Sequence, residues 1–152
     1  MSLSTVRAEL KTILESITSV GTVHDYKRYT HDWASYKTLF VENSKVNTWE
    51  IVRDNVDAWV EASNSVNRRR HYFTIRGFYA INDENASEKT FQNIVEDIID
   101  ELRDKPTLND KAEKISFDKD DPLTAVFSTD FLGAVLCHIV EIKINILEYT
   151  TF

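Results

Sequence analysis

A few short clusters in this sequence hold the side chains that could do chemistry. Cys137 and His138 are adjacent, a thiol beside an imidazole. A nucleophilic dyad needs its base within hydrogen-bond reach of the thiol. The residues around them alternate as a strand does, and neighbouring strand residues point to opposite faces. Cys137 is therefore expected to be a small packing residue. His24-Asp25 and His31-Asp32 repeat a His-Asp pair. Metal ligands must converge, whereas an extended chain puts these two histidines on opposite faces. Surface or sheet histidines are the expectation. Asp118, Asp120 and Asp121 resemble the opening of a calcium loop but lack its sixth-position glycine and closing glutamate, so they read as a solvated acidic turn.

Arg68, Arg69 and Arg70 form the one dense basic run, next to His71 and Tyr72. Three uses stay open for it: phosphate contact with nucleic acid, ion pairing with a neighbouring subunit's acidic loop, or a solvated strand entry. Arg68, Arg69 and Arg70, with Asp118, Asp120 and Asp121, are the candidate subunit-interface residues. Trp33, Trp49 and Trp59 could form a ligand platform, although aromatic residues more often serve a core or an interface. No serine sits in a G-x-S-x-G elbow, and three scattered glycines make no phosphate-cradling loop. The reading contains no catalytic residue, no cofactor and no metal, and the expectation is a protein that is not an enzyme.

The elements that must position these residues follow from periodicity. The chain has 152 residues, 42% hydrophobic and 28% charged, which fits one globular domain, residues 1–152. No apolar run is long enough for a membrane-spanning helix, and Glu9 and Glu15 argue against a secretory leader at the N-terminus. A single cysteine excludes an internal disulfide, which suits a reducing compartment. Val6, Leu10, Ile13, Leu14 and Ile17 predict an amphipathic helix capped by Ser4 or Thr5 and ended by Gly21. Val23 to Tyr29 reads as a strand and Asp32 to Val41 as an aromatic-rich helix or irregular segment. A short strand around Trp49–Val52 precedes an Asp54-Asn55 turn signal. Ala58 to Glu61 reads as a second strand, and residues 63–67 as a loop.

From Tyr72 to Ile81 the alternation is clear: His71, Phe73, Ile75, Tyr79 and Ile81 share one face, interrupted by Gly77, which marks a bulge or a close approach. Phe91, Ile94, Val95, Ile98, Ile99 and Leu102 form the stripe of a second helix, capped at Asn85 or Ser87 and ended by Pro106. Residues 103–122 read as a long charged loop with one short edge strand at most. Val126 and Phe127 begin a strand. Gly133 to Tyr149 is the longest extended element, with Leu136, His138, Val140, Ile142, Ile144 and Ile146 toward the helices and a mixed face toward water or a partner. The order predicts an α+β fold, a mostly antiparallel sheet with two main helices packed on one face.

The net charge of −7 is uneven: residues 1–81 carry +2 and residues 82–152 carry −9. That argues against general nucleic-acid binding. It would suit a contact in which one copy's positive side meets another's negative side, or else it is chance clustering on a solvated surface.

The stretches His71-Tyr72-Phe73-Thr74-Ile75-Arg76-Gly77-Phe78-Tyr79-Ala80, Ala86-Ser87-Glu88-Lys89-Thr90-Phe91-Gln92 and Asp104-Lys105-Pro106-Thr107-Leu108 resemble small tail-completion proteins of long-tailed bacteriophages and prophages. The run from Gly133 to Glu148, with Leu136-Cys137-His138 before the long strand, is similar to that group too. The resemblance covers roughly residues 70–149 and implies a tail terminator: a virion protein of the tail or neck, made in the host cytoplasm, with no catalytic role, cofactor or membrane. Such a protein forms a six-membered ring on the last ring of tail-tube protein and presents a surface to the head connector, with DNA only as passing cargo. Another neck or head–tail joining component, or a small non-enzymatic binding module, remain the alternatives.

Overall fold

The structure, a computed structural model, describes residues 2–28, 41–42, 45–62 and 65–151. Helix α1 (Leu3–Glu15) buries Val6, Leu10, Ile13 and Leu14, the expected stripe. Its cap is Ser2: the Thr5 N–H donates to Ser2 Oγ at 3.2 Å and the Ser2 N–H donates to Thr5 Oγ1 at 3.0 Å. This reciprocal pair satisfies two orphan donors, and it lies before the expected Ser4 or Thr5. Gly21 does not end the helix, whose last residue is Glu15. Its N–H donates to Asn47 Oδ1 at 3.2 Å, and a Cβ there would sit 2.0 Å from the Asn47 carbonyl oxygen. Glycine is needed because two backbones touch.

Strand β1 (Thr22–His24) is shorter than expected and runs parallel to β3. The His31, Asp32, Trp33, Tyr36 and Phe40 region lies outside the described residues. Strand β2 (Val41–Glu42) pairs with the start of β3 (Lys45–Glu61). The predicted turn at Asp54-Asn55 is a bulge inside one 17-residue strand. The register against β4 (Val66–Ala80) steps between Arg53 and Asn55, leaving Asp54 unpaired in the ladder. The Thr74 hydroxyl donates to its carboxylate. A turn-forming pair can thus be absorbed as an extra residue without reversing the chain. The true reversal falls between Glu61 and Val66, so Arg68, Arg69 and Arg70 lie within a strand.

Helix α2 (Ser87–Asp104) buries Phe91, Ile94, Val95, Ile98 and Leu102, each contributing about 1.5–3 kcal/mol by leaving water. It stops just before Lys105-Pro106, as expected. Its entry differs: Ala86, in the left-handed region at φ 52°, occupies the cap position without a side-chain hydrogen bond. Strands β5 (Lys114–Ile115), β6 (Thr124–Leu132) and β7 (Val135–Thr151) complete the sheet. Gly133, at φ 61°, makes the tight turn between β6 and β7.

The strand order is β1-β3-β4-β7-β5, with β2 also on β3 and β6 also on β7. Every pair except β1–β3 is antiparallel. The result is an α+β fold with α1 and α2 on one face. There Trp49, Ile51, Phe73, Ile75, Val140, Ile142, Ile144 and Ile146 meet both helix stripes in one core. Gly77 is a close approach, made by a side chain on the next strand: Trp49 lies opposite it, and a Cβ on Gly77 would come within 2.2 Å of the indole.

Residues 103–122, expected as a long charged loop with at most one short edge strand, hold the end of α2 and the edge strand β5 on β7, and Leu108, Ala112 and Ile115 are buried in the main core, so the segment does not stand free. Leu108, Asn109 and Asp110 all adopt positive φ, 50°, 53° and 67°, to make the turn that inserts Leu108. The face of β7 away from the helices is not uniformly wet either: Cys137 packs with Val46, Phe78 and Leu132 in a small second cluster.

Candidate subunit interface

The three arginines are separated by strand alternation. Arg68 and Arg70 lie on the face away from the helices; Arg69 lies on the other. The Arg68 guanidinium sits between two carboxylates of its own chain, donating to Glu113 at 2.5 Å and lying 3.3 Å from Glu61. The hydrogen bond to Glu113 holds its pKa above the usual arginine value, against the opposing effect of burial. Arg69 is 58% exposed and comes within 3.8 Å of Glu148. Arg70 packs over the Trp59 ring, 5.5 Å from its centroid.

Asp118, Asp120 and Asp121 gather with Arg70 in one open cleft of about 360 Å³, which Tyr72 and Asn145 also line. The acidic segment is held by a turn, the Asp121 N–H donating to the Asp118 carbonyl at 3.0 Å. Asn145 donates to the Asp121 carboxylate, and Lys114 lies 3.7 Å from Asp118. Among the described residues, no group of three or more His, Cys, Asp or Glu side chains converges as metal ligands must. Four of the six candidates, Arg70 and the three aspartates, thus line one cleft of a single molecule, while Arg68 is engaged by carboxylates of its own chain and Arg69 lies on the opposite face.

Cys137 and His138 are on opposite faces. Burial pushes the Cys137 thiol up to about 11, with a backbone hydrogen bond at Leu132 working the other way. His138 faces the helices, stacks on Phe91 with centroids 5.8 Å apart, and places Nε2 2.8 Å from Ser87 Oγ. That hydroxyl also accepts the Asn82 N–H at 2.8 Å, which ties the entry of α2 to β7. His71 is fully buried, with Nε2 2.9 Å from Glu148 Oε1 and Nδ1 3.5 Å from Arg53 Nη1. Neither pair was foreseen. The available signal was a histidine on an otherwise apolar strand face, which demands a polar partner. Trp49 and Trp59 form no common platform: Trp49 is buried in the core, while the bulge at Asp54 turns Trp59 to the other face.

Exposed apolar side chains stand at two opposite corners of the sheet. At the β6–β7 end, Val126, Phe127, Phe131 and Leu136 are exposed; at the far end of β3, Val56 and Val60 are. Among the described residues, β6 pairs only with β7, and β3 beyond Glu50 pairs only with β4. Among the described residues two sheet edges therefore have no partner strand and are flanked by apolar side chains, the arrangement that folded proteins ordinarily cover. No protein-family model and no curated protein matches this chain.

Proposed function

We propose that this chain is a structural subunit that assembles head to tail into a ring, closes a phage tail tube and offers its outer face to the head connector. The observation that carries the reading is the pair of different apolar corners on opposite sheet edges. A ring needs two unlike patches on each subunit, because a self-complementary patch stops at a dimer. The charge division supports it, +2 in residues 1–81 against −9 in residues 82–152. So does the exposed acidic side of α2, where Glu88, Glu96, Asp97 and Asp100 lie. A lumen lined by such a surface lets DNA pass without adhering, because like charge repels phosphate. The tail-specific part of the proposal rests on the likeness of residues 70–149 to tail-completion proteins.

Gel filtration with light scattering, followed by negative-stain microscopy with purified tail tubes, tests the reading. The expected results are a ring of about six copies and a cap on tube ends. A strictly monomeric protein at high concentration and low salt, with tube protein present, overturns it. Rings that bind the connector but ignore tube ends favour a different neck component. A small binding module is the second reading, favoured by an open cleft of about 620 Å³ beside the start of α2, lined by Val46, Tyr79, Ile81, Ser87 and Thr90. A monomer with a ligand in that cleft selects it.

A further inference from the structure

We infer that the ring interface is strand addition: the free edge of β6 in one copy docks along the free edge of β3, from Arg53 to Glu61, in the next. The inference rests on the ring reading and names its contact. Strand β6 is nine residues long, and its outer edge has no partner among the described residues. The Arg53–Glu61 stretch of β3 has the same length and likewise has no partner on its outer side among the described residues.

The side chains match as well as the lengths. Phe127 and Phe131 are four residues apart and stand on the helix-bearing side of β6, because Phe127 lies opposite Val140 and Phe131 opposite Leu136. Val56 and Val60 are also four residues apart and stand on the helix-bearing side of β3, because the bulge at Asp54 shifts the alternation by one. In a continuous sheet, residues on one side of adjoining strands become cross-strand neighbours. Joining the edges therefore brings Phe127 and Phe131 alongside Val56 and Val60, and covers two of the most exposed apolar side chains, Phe131 at 65% and Val60 at 55%.

A second copy is the occupant, because one chain carries both halves of the fit. A foreign partner would need only one edge and would leave the other bare. The two edges are separated by β4 and β7, so one molecule cannot bring them together without unfolding the sheet. The contact is heterologous, as a ring requires.

Paired variants give the test. Phe131→Asp disables the β6 edge and Val60→Asp the β3 edge; both sites are exposed, and far-UV circular dichroism with thermal melting checks that each variant folds. Light scattering on the wild type should give a ring. Each variant alone should weaken association by about 30-fold or more and run as a monomer, as loss of a central interface contact does. Mixed in equal amounts, the two should form a dimer and stop there, since each supplies the edge the other retains. Phe127→Asp with Val56→Asp should repeat the result. Rings that survive either substitution, or a mixture that stays monomeric, overturn the inference while leaving the ring reading standing. A monomeric wild type overturns both.

Discussion

Replacing Gly77 with alanine tests the packing that fixes β3 against β4. The added Cβ would lie 2.2 Å from Cζ3 of Trp49, against an ordinary contact of 3.4–4 Å, so the indole must retreat by about 1.2 Å. Trp49 has little room to do so. It is fully buried, its centroid is 5.8 Å from that of Phe91, and its Nε1–H donates to Asn47 Oδ1 at 2.8 Å. Overpacking of this kind costs about 1–3 kcal/mol, and the confined ring places Gly77→Ala at the upper end, ~3 kcal/mol. For a chain of this size that lowers Tm by about 6–12 °C. The assay is urea and thermal unfolding of wild type, Gly77→Ala, Trp49→Phe and the double variant. The smaller phenyl ring leaves space for the methyl group, so the cycle should show a favourable coupling of about 1 kcal/mol or more. A Gly77→Ala protein within about 0.5 kcal/mol of wild type, the usual range for an uncrowded surface site, refutes the close-approach argument.

Other expectations follow from buried groups. Leu108→Ala should cost about 2–5 kcal/mol in urea unfolding, since Leu108 is a fully buried anchor for the turn after α2, whereas Asp110→Gly should stabilise by up to about 1 kcal/mol by removing a side chain from a positive-φ position. His71→Leu leaves the buried Glu148 carboxylate without its 2.9 Å partner and should lower stability by about 1–3 kcal/mol in the same measurement. The Cys137 thiol, raised to about 11, favours the protonated form in the folded state. Its contribution is complete below the unfolded thiol value near 9 and is lost as pH rises toward 11. Melting curves from pH 8 to 11 should therefore fall more steeply for wild type than for Cys137→Ala, and a thiol reagent at pH 8 should label Cys137 only on unfolding.

The sequence made legible what depends on regular spacing. The α2 stripe from Phe91 to Leu102 and the two alternations, His71 to Ile81 and Leu136 to Ile146, each repeat often enough to declare their buried side. Single-residue events broke the pattern elsewhere. Asp54-Asn55 has the composition of a turn, and nothing local says that a bulge will absorb it. Long-range pairs were likewise invisible: Ser87 meets His138 across 51 positions, and His71 meets Glu148 across 77. The arginine run was conspicuous in composition, yet alternation divides it between two faces. Nothing local marks Val56 and Val60 either, because the face they stand on is set by the register step at Asp54.

The placement of β7 has a consequence for how the molecule is made. It follows every other described strand in the chain, yet it supplies the second neighbour of β4 and the only partner of β6 among the described residues. A ribosome must synthesise through the 140s before the sheet can close. Until then the β3–β4 hairpin stands with the edge of β4 that β7 will occupy bare, although both helices have already been made. Closure of the sheet must await β7, and a nascent chain stalled before it exposes an edge prone to intermolecular pairing.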